Sequence, residues 1–401
     1  MTYDFTTFLD RKGHDALAYD ALGLEGFPLP PIHHYAISMW VADMNFVACP
    51  TIIEGIKERL AHPSFGYFLT PSAYYQHIAW WHLKQFGVKG LKQEHIVYAN
   101  SVLGALVTTL RTFLVKGDNV LTHEPTYIGF IHAIKDVGFN LVTSSIVEKS
   151  GKYEMDYADL EQKMIDYDIK VFLLCNPHNP LGINWSKEDL LKLDALCKKH
   201  NVLIVSDEIW ADLVLSDEGH LPMYQVNADA RMRSICLYGL TKTFNLASIT
   251  GAYMVIYNET LRKLIQAELD ATCLNNPHLL SVYALMSAYT ESGLLWVSEL
   301  KEVLKTNVEL MSTYLQGIEG IKFIKPAATY MLYLDCSEYC RKNQITFDEL
   351  LKHGWEEGVI WQDGRPFGWH ESIRINVASP THIIEEAIHW MKDYLFKVSN
   401  V

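Results

Sequence analysis

Short, nearly unbroken apolar runs recur along the first three quarters of the chain: Ile96–Ala99, Asn119–Thr122, Val171–Leu174, Val202–Val205, Ser234–Leu237 and Met254–Tyr257. Runs of this length without alternation predict strands buried on both faces, as parallel strands are when helices cover the sheet. Longer amphipathic stretches lie between them. Ser186-Lys187-Glu188-Asp189 opens one with a capping-box pattern, and Leu190, Leu191, Leu193 and Leu196 form its apolar side. The alternation of the two patterns predicts an α/β fold whose mainly parallel sheet is sandwiched by helices, with right-handed crossovers.

After about Tyr289 the pattern changes. Long helical stretches follow at Leu294–Leu315 and Thr381–Leu395, with shorter strand candidates at Tyr330–Leu334 and Ser372–Asn376. This predicts a second, smaller α/β domain. The expected organisation is an N-terminal segment over 1–45 packing with the small domain, a large domain over 46–290, and the small domain over 291–401. No internal repeat, low-complexity run or flexible linker interrupts it.

Composition narrows the function classes. The 401 residues exceed one ordinary core, and 49% hydrophobic with 20% charged residues describes a compact globule. A formal charge of −13 argues against nucleic acid as a partner, because phosphate contact needs clustered Lys and Arg. The opening MTYDFTTFLDRKGHD lacks the basic start and apolar stretch of a secretory leader, and no apolar run approaches the roughly 18 to 20 residues that span a bilayer. The seven cysteines are scattered and never spaced C-x-x-C, which predicts reduced thiols and a cytoplasmic location. No dinucleotide fingerprint, phosphate loop, H-E-x-x-H or G-x-S-x-G is present, and none of the 17 histidines makes a ligand set, so no metal is expected.

Four segments fall near the ends of predicted strands, where open α/β sheets bind ligands. LLCNPHNPLG, Leu173–Gly182, is a stiff turn with two Asn-Pro pairs, and alone reads best as a plain loop. In VSDEIW, Val205–Trp210, Asp207 ends an apolar strand; a carboxylate there needs a partner, whether a helix cap, a salt bridge or a ligand. ANSVLGAL, Ala99–Leu106, is a polar turn running into a helix whose first N–H groups can seat an anion, as any helix start can. In YGLTKTFNLASITGAY, Tyr238–Tyr253, Lys242 stands among hydroxyls and apolar groups with no acidic neighbour. A desolvated lysine has a lowered pKa and suits a Schiff-base or proton-carrying role.

Taken in order, Asn-Pro-x-Asn-Pro-x-Gly, a strand-ending Asp, and then [ST]-Lys-x-x-Asn resemble the fold-type I pyridoxal-phosphate enzymes of the aminotransferase class I/II superfamily. The resemblance implies an aspartate aminotransferase-like fold and pyridoxal 5'-phosphate as cofactor, bound by the large domain. Lys242 would hold the cofactor covalently, and Asp207 would keep its ring nitrogen protonated. Asn179 would bond the ring oxygen and reach the substrate, while Tyr127 would stack on the ring. Thr241 and the backbone of Val102 and Leu103 would hold the phosphate. Arg374, in SIRINVASP, would take the substrate carboxylate as a bidentate pair.

MWVADMNF (Met39–Phe46), FGYFLTPSAYY (Phe65–Tyr75) and TKTFNLASITGAY resemble the cystathionine β-lyase and C–S lyase branch. Where aspartate aminotransferases carry a phosphate-binding arginine, this chain has Thr250. In that branch Tyr67 would reach the phosphate of a neighbouring subunit's cofactor, which implies a homodimer, and Trp40 would line the substrate entrance; either aromatic also suits a core. The implied reaction is α,β-elimination from a sulfur amino acid (cystathionine, cysteine or a cysteine conjugate) to thiol, pyruvate and ammonia. An aminotransferase uses the same residues, and a cofactor-binding regulator is a third reading that lacks any appended basic region. Departures from the branch are Gly239 at a usual phosphate-binding serine, Trp210, Ile128, Ala327 and His370-Glu371.

Overall fold

The computed structural model describes residues 1–396. The chain divides into two compact units. One comprises Ala48–His178 and Ile183–Val297; the other comprises Met1–Val47, Asn179–Gly182 and the chain from Ser298 onward.

The first unit is built on an eight-stranded sheet. Its spatial order is Ile96–Ala99, Ala252–Val255, Ser234–Gly239, Leu203–Asp207, Val171–Cys175, Asn119–Glu124, Asn140–Lys149 and Lys152–Met155. The five strands from Ser234–Gly239 to Asn140–Lys149 pair in parallel. Ala252–Val255 runs antiparallel to both its neighbours, and Lys152–Met155 closes the far edge as a hairpin. Every residue of Val171–Cys175 and of Ser234–Gly239 is buried, as the unbroken apolar runs require of strands covered on both faces. On one face Ala105, Leu106 and Leu110 of the helix Val102–Phe113 pack with Phe130, Ile134, Ile265 and Leu269 against the central strands. The helix Lys187–Lys199 begins at the expected capping box: the Ser186 hydroxyl accepts from Asp189 N–H at 3.1 Å, and the Asp189 carboxylate accepts from Ser186 N–H at 3.3 Å.

The second unit carries a four-stranded sheet in the order Ile37–Met39, Val359–Asp363, Ser372–Asn376, Met331–Asp335. Ile37–Met39, from the N-terminal segment, pairs in parallel with Val359–Asp363, and the other two ladders are antiparallel. The helices Glu291–Gln316 and Thr381–Trp390 fall where the apolar periodicity sets them. Among the described residues, no helix is long and apolar enough to cross a membrane.

Candidate active site

Three parallel strands of the first unit end side by side at their carboxyl edge. Asp207 closes the middle one, paired in register with Cys175 on one side and Leu237 on the other. Its carbonyl accepts from Asn176 N–H at 2.9 Å, which ties the Asn-Pro loop to the strand end. The carboxylate is only 4% exposed, and Oδ1 accepts from Ile209 N–H at 3.0 Å. Desolvation pushes its pKa up from the usual 3.8 to about 7; the Ile209 N–H and the Lys242 charge pull it down, and neighbouring Glu208 pushes it up.

Glu208 locks the strand end from the other side. It is 1% exposed and accepts from Ser206 Oγ at 2.9 Å, Met223 N–H at 2.9 Å and the Tyr238 hydroxyl, with His220 Nε2 at 2.8 Å. Deeper in, buried His82 joins the hydroxyls of Tyr224 and Tyr253 at 2.6 and 2.9 Å. Burial lowers the His82 pKa to about 3, so it stays neutral at physiological pH.

Lys242 sits in the turn that follows Ser234–Gly239. The turn is closed by Phe244 N–H to the Leu240 carbonyl at 3.0 Å and by Leu246 N–H to the Thr241 carbonyl at 3.2 Å. Asn245 takes the left-handed backbone, φ 57°, which Asn tolerates better than most residues. The Lys242 ammonium lies over the Trp210 ring, 5.5 Å from its centroid. Gly239, one of the departures, leaves room for a close strand crossing: a Cβ there would stand 3.2 Å from the Gly251 carbonyl oxygen.

Helix Val102–Phe113 starts beside this edge, next to the strand Ile96–Ala99. Ser101 caps it, its hydroxyl accepting from Gly104 N–H at 2.9 Å. The N–H groups of Val102 and Leu103 are among the first-turn donors that no intrahelical carbonyl satisfies. Tyr127 and Leu103 pack against the same core, and both crowd Gly129, where a Cβ would stand 2.4 Å from Tyr127 Cε1 and 3.1 Å from Leu103 Cδ1. Only glycine leaves the Tyr127 ring in its present seat.

The second unit holds a separate set. Arg374 is 4% exposed, its Nη2 donating to the Trp40 carbonyl at 2.8 Å and its Nη1 to Asn179 Oδ1 at 3.4 Å. Phe367 lies 4.7 Å from the guanidinium. Trp40 thus offers Arg374 its backbone; its indole is buried and donates to the Ala18 carbonyl at 3.0 Å. In the first unit, Tyr67 stands fully exposed, with Phe65 and Leu69 also exposed around it. Among the described residues, no group of three or more His, Cys, Asp or Glu is arranged to hold a metal.

The structure therefore places Lys242 where its charge lowers the Asp207 pKa, and draws Asn179, Arg374 and the Trp40 carbonyl into another cluster. Sequence reasoning missed Glu208, His220 and Asp212. The Asp-Glu pair was visible, but the partners of these carboxylates lie up to 131 positions away in the chain.

A family model for aminotransferase class I and II matches residues 42–389. Cystathionine beta-lyase PatB of Bacillus subtilis (strain 168) is 34% identical over 386 residues, covering 96% of this chain and 97% of its own. Cystalysin from Treponema denticola, a structure containing a pyridoxal 5'-phosphate cofactor, superposes with a TM-score of 0.89 at 26% identity, covering 98% of each chain. The PLP-bound C-S lyase from Staphylococcus hominis gives a TM-score of 0.87 at 28% identity, also over 98% of each chain. The chain belongs to the aminotransferase class I and II family.

Proposed function

We propose that the protein is a pyridoxal-phosphate-dependent C–S lyase, cleaving the Cβ–S bond of a sulfur amino acid to give a thiol, pyruvate and ammonia. The observation that carries the reading is Asp207: a buried carboxylate, pushed up to about 7 by desolvation and within electrostatic reach of Lys242. A protonated pyridine ring would offer such a group a cationic N–H donor. The remaining donor set also fits the cofactor, with first-turn N–H groups and the Thr241 hydroxyl for a phosphate and the Tyr127 ring for a flat face. The 34% identity to a cystathionine beta-lyase supports lyase chemistry.

Pyridoxal phosphate, when bound, supplies an aldehyde that holds an amine and a ring that stores an electron pair. Lys242 would carry the cofactor and, with its amine free when substrate is bound, would take the Cα proton. Asp207 holds the proton on the ring nitrogen. Overall, loss of the Cα proton to Lys242 would let the Cβ–S bond break, the sulfur leaving as a thiolate that takes up a proton, and one water would complete release as pyruvate and ammonia. Val102, Leu103 and Thr241 would hold the phosphate, Tyr127 would stack on the ring, and Asn179 would bond its oxygen. Arg374, aimed by the Trp40 carbonyl and Asn179, binds the α-carboxylate as a fork.

Two further features belong to this reading. The exposed Tyr67, flanked by exposed Phe65 and Leu69, suits a homodimer in which it reaches the partner copy's phosphate. All seven cysteines are free thiols, which suits a reducing cytoplasm.

The test is turnover of L-cystathionine by the cofactor-loaded protein without any 2-oxo acid. Pyruvate release supports the lyase. Turnover that starts only on adding a 2-oxo acid makes the protein an aminotransferase and ends the proposal.

A further inference from the structure

The short turn after the Asp207 strand holds the lysine-bearing turn at two points. Trp210 lies under the Lys242 ammonium. Two residues on, Asp212 is buried in the turn Ala211–Leu213, and its two oxygens accept from two other elements. Oδ1 takes the Trp81 indole N–H at 3.0 Å, and Oδ2 takes the Thr243 hydroxyl at 2.8 Å. Thr243 directly follows Lys242 and is itself buried. Trp81 is no loose anchor: it is fully buried in helix Ser72–Phe86 and stacked on Tyr289, with ring centroids 4.4 Å apart and planes within 8°. Hydrogen bonds to a buried carboxylate are strong, and losing one leaves a donor or acceptor unsatisfied.

We propose that Asp212 is a positioning residue for Lys242, acting through Thr243. The proposal rests on the reading of Lys242 as the residue that carries the cofactor and moves the Cα proton. A lysine side chain is long and flexible, so its amine is aimed only if its backbone turn is fixed. The Trp81–Asp212–Thr243 link supplies that fixation from a rigid helix, while Trp210 sets where the ammonium lies. One run, Asp207 to Leu213, thus carries the ring-nitrogen carboxylate, the face under the amine and the brace of the turn.

The test compares Asp212→Asn, Thr243→Val, Thr243→Ser and the Asn/Val double variant with wild type. Three quantities are read: kcat and KM for L-cystathionine, the pH midpoint of the bound cofactor's absorption change, and the melting temperature of the cofactor-free protein. Asp212→Asn and Thr243→Val should each lower kcat about 10- to 100-fold, since a displacement near 1 Å costs that order of rate, with KM changed far less. Both should move the absorption midpoint. The double variant should be no worse than the poorer single one, because each change breaks the same link. Thr243→Ser, which keeps the hydroxyl, should restore most of the rate and the wild-type midpoint. A lowered melting temperature with unchanged kcat and midpoint would mean a purely structural role and overturn the proposal. Should Asp212→Asn not fold, the Thr243 pair decides by the same criteria. Borohydride reduction of the wild type, followed by peptide mass, separates the two levels. If Lys242 bears no cofactor, the site reading fails and the brace with it; if it does and the variants behave as wild type, the brace alone fails.

Discussion

A carboxyl group held at about 7 inside a protein is a liability until something cationic meets it. For Asp207 the cause is desolvation, offset in part by the Ile209 N–H and the Lys242 charge. The linkage sign follows from the raised folded-state value: the native chain keeps this proton when the unfolded chain has released it. Its contribution to stability is therefore present below about pH 4 and lost as pH rises through 7. For the cofactor-free protein, urea unfolding should show stability falling across that window by a few kcal/mol at most, about 1.4 per pH unit. Asp207→Asn should flatten that slope and weaken pyridoxal phosphate binding. An unchanged slope in the variant would mean that another group titrates there.

At the scale of elements, the proposed phosphate seat depends on how one helix begins. Ser101 satisfies Gly104 N–H, and on the proposed reading the N–H groups of Val102 and Leu103 are those that hold the phosphate. Ser101→Ala should cost about 1 kcal/mol of stability and raise the cofactor's dissociation constant, measurable by fluorescence titration. What was legible in the sequence follows the same local logic. The capping box at Ser186 and the strands Ile96–Ala99 and Ser372–Asn376 form as their own residues specify. Lys242 and Asp207 stand out in the sequence because the motifs that mark them are short stretches around each residue. The hairpin Asn140–Lys149 and Lys152–Met155 was missed, since it lies at a sheet edge, mixes polar with apolar residues and never forms an unbroken apolar run. The strand expected at Met254–Tyr257 lies two residues earlier, at Ala252–Val255, because its register is set by the ladders to Tyr98 and Tyr238 rather than by side-chain propensity. Asp212 was invisible because its anchors stand 131 and 31 positions away.

For the molecule as a whole, the question is whether a site is complete within one copy of the chain. Tyr67 is fully exposed, and on the proposed reading it serves the site of a second copy. Mixing Tyr67→Ala with Lys242→Ala protein under exchanging conditions should restore activity that neither variant has alone, approaching about a quarter of wild type for random dimers with one intact site. No recovery, with dimers shown by sedimentation to have mixed, would place both residues in the same copy's site. Product stoichiometry tests carbon–sulfur cleavage most directly. With L-cystathionine as sole substrate, pyruvate, ammonia and homocysteine should accumulate in equal amounts through many turnovers, and none should form with Lys242→Ala. Formation of a 2-oxo acid that retains the sulfur, coupled to amination of an added 2-oxo acid, would contradict the account.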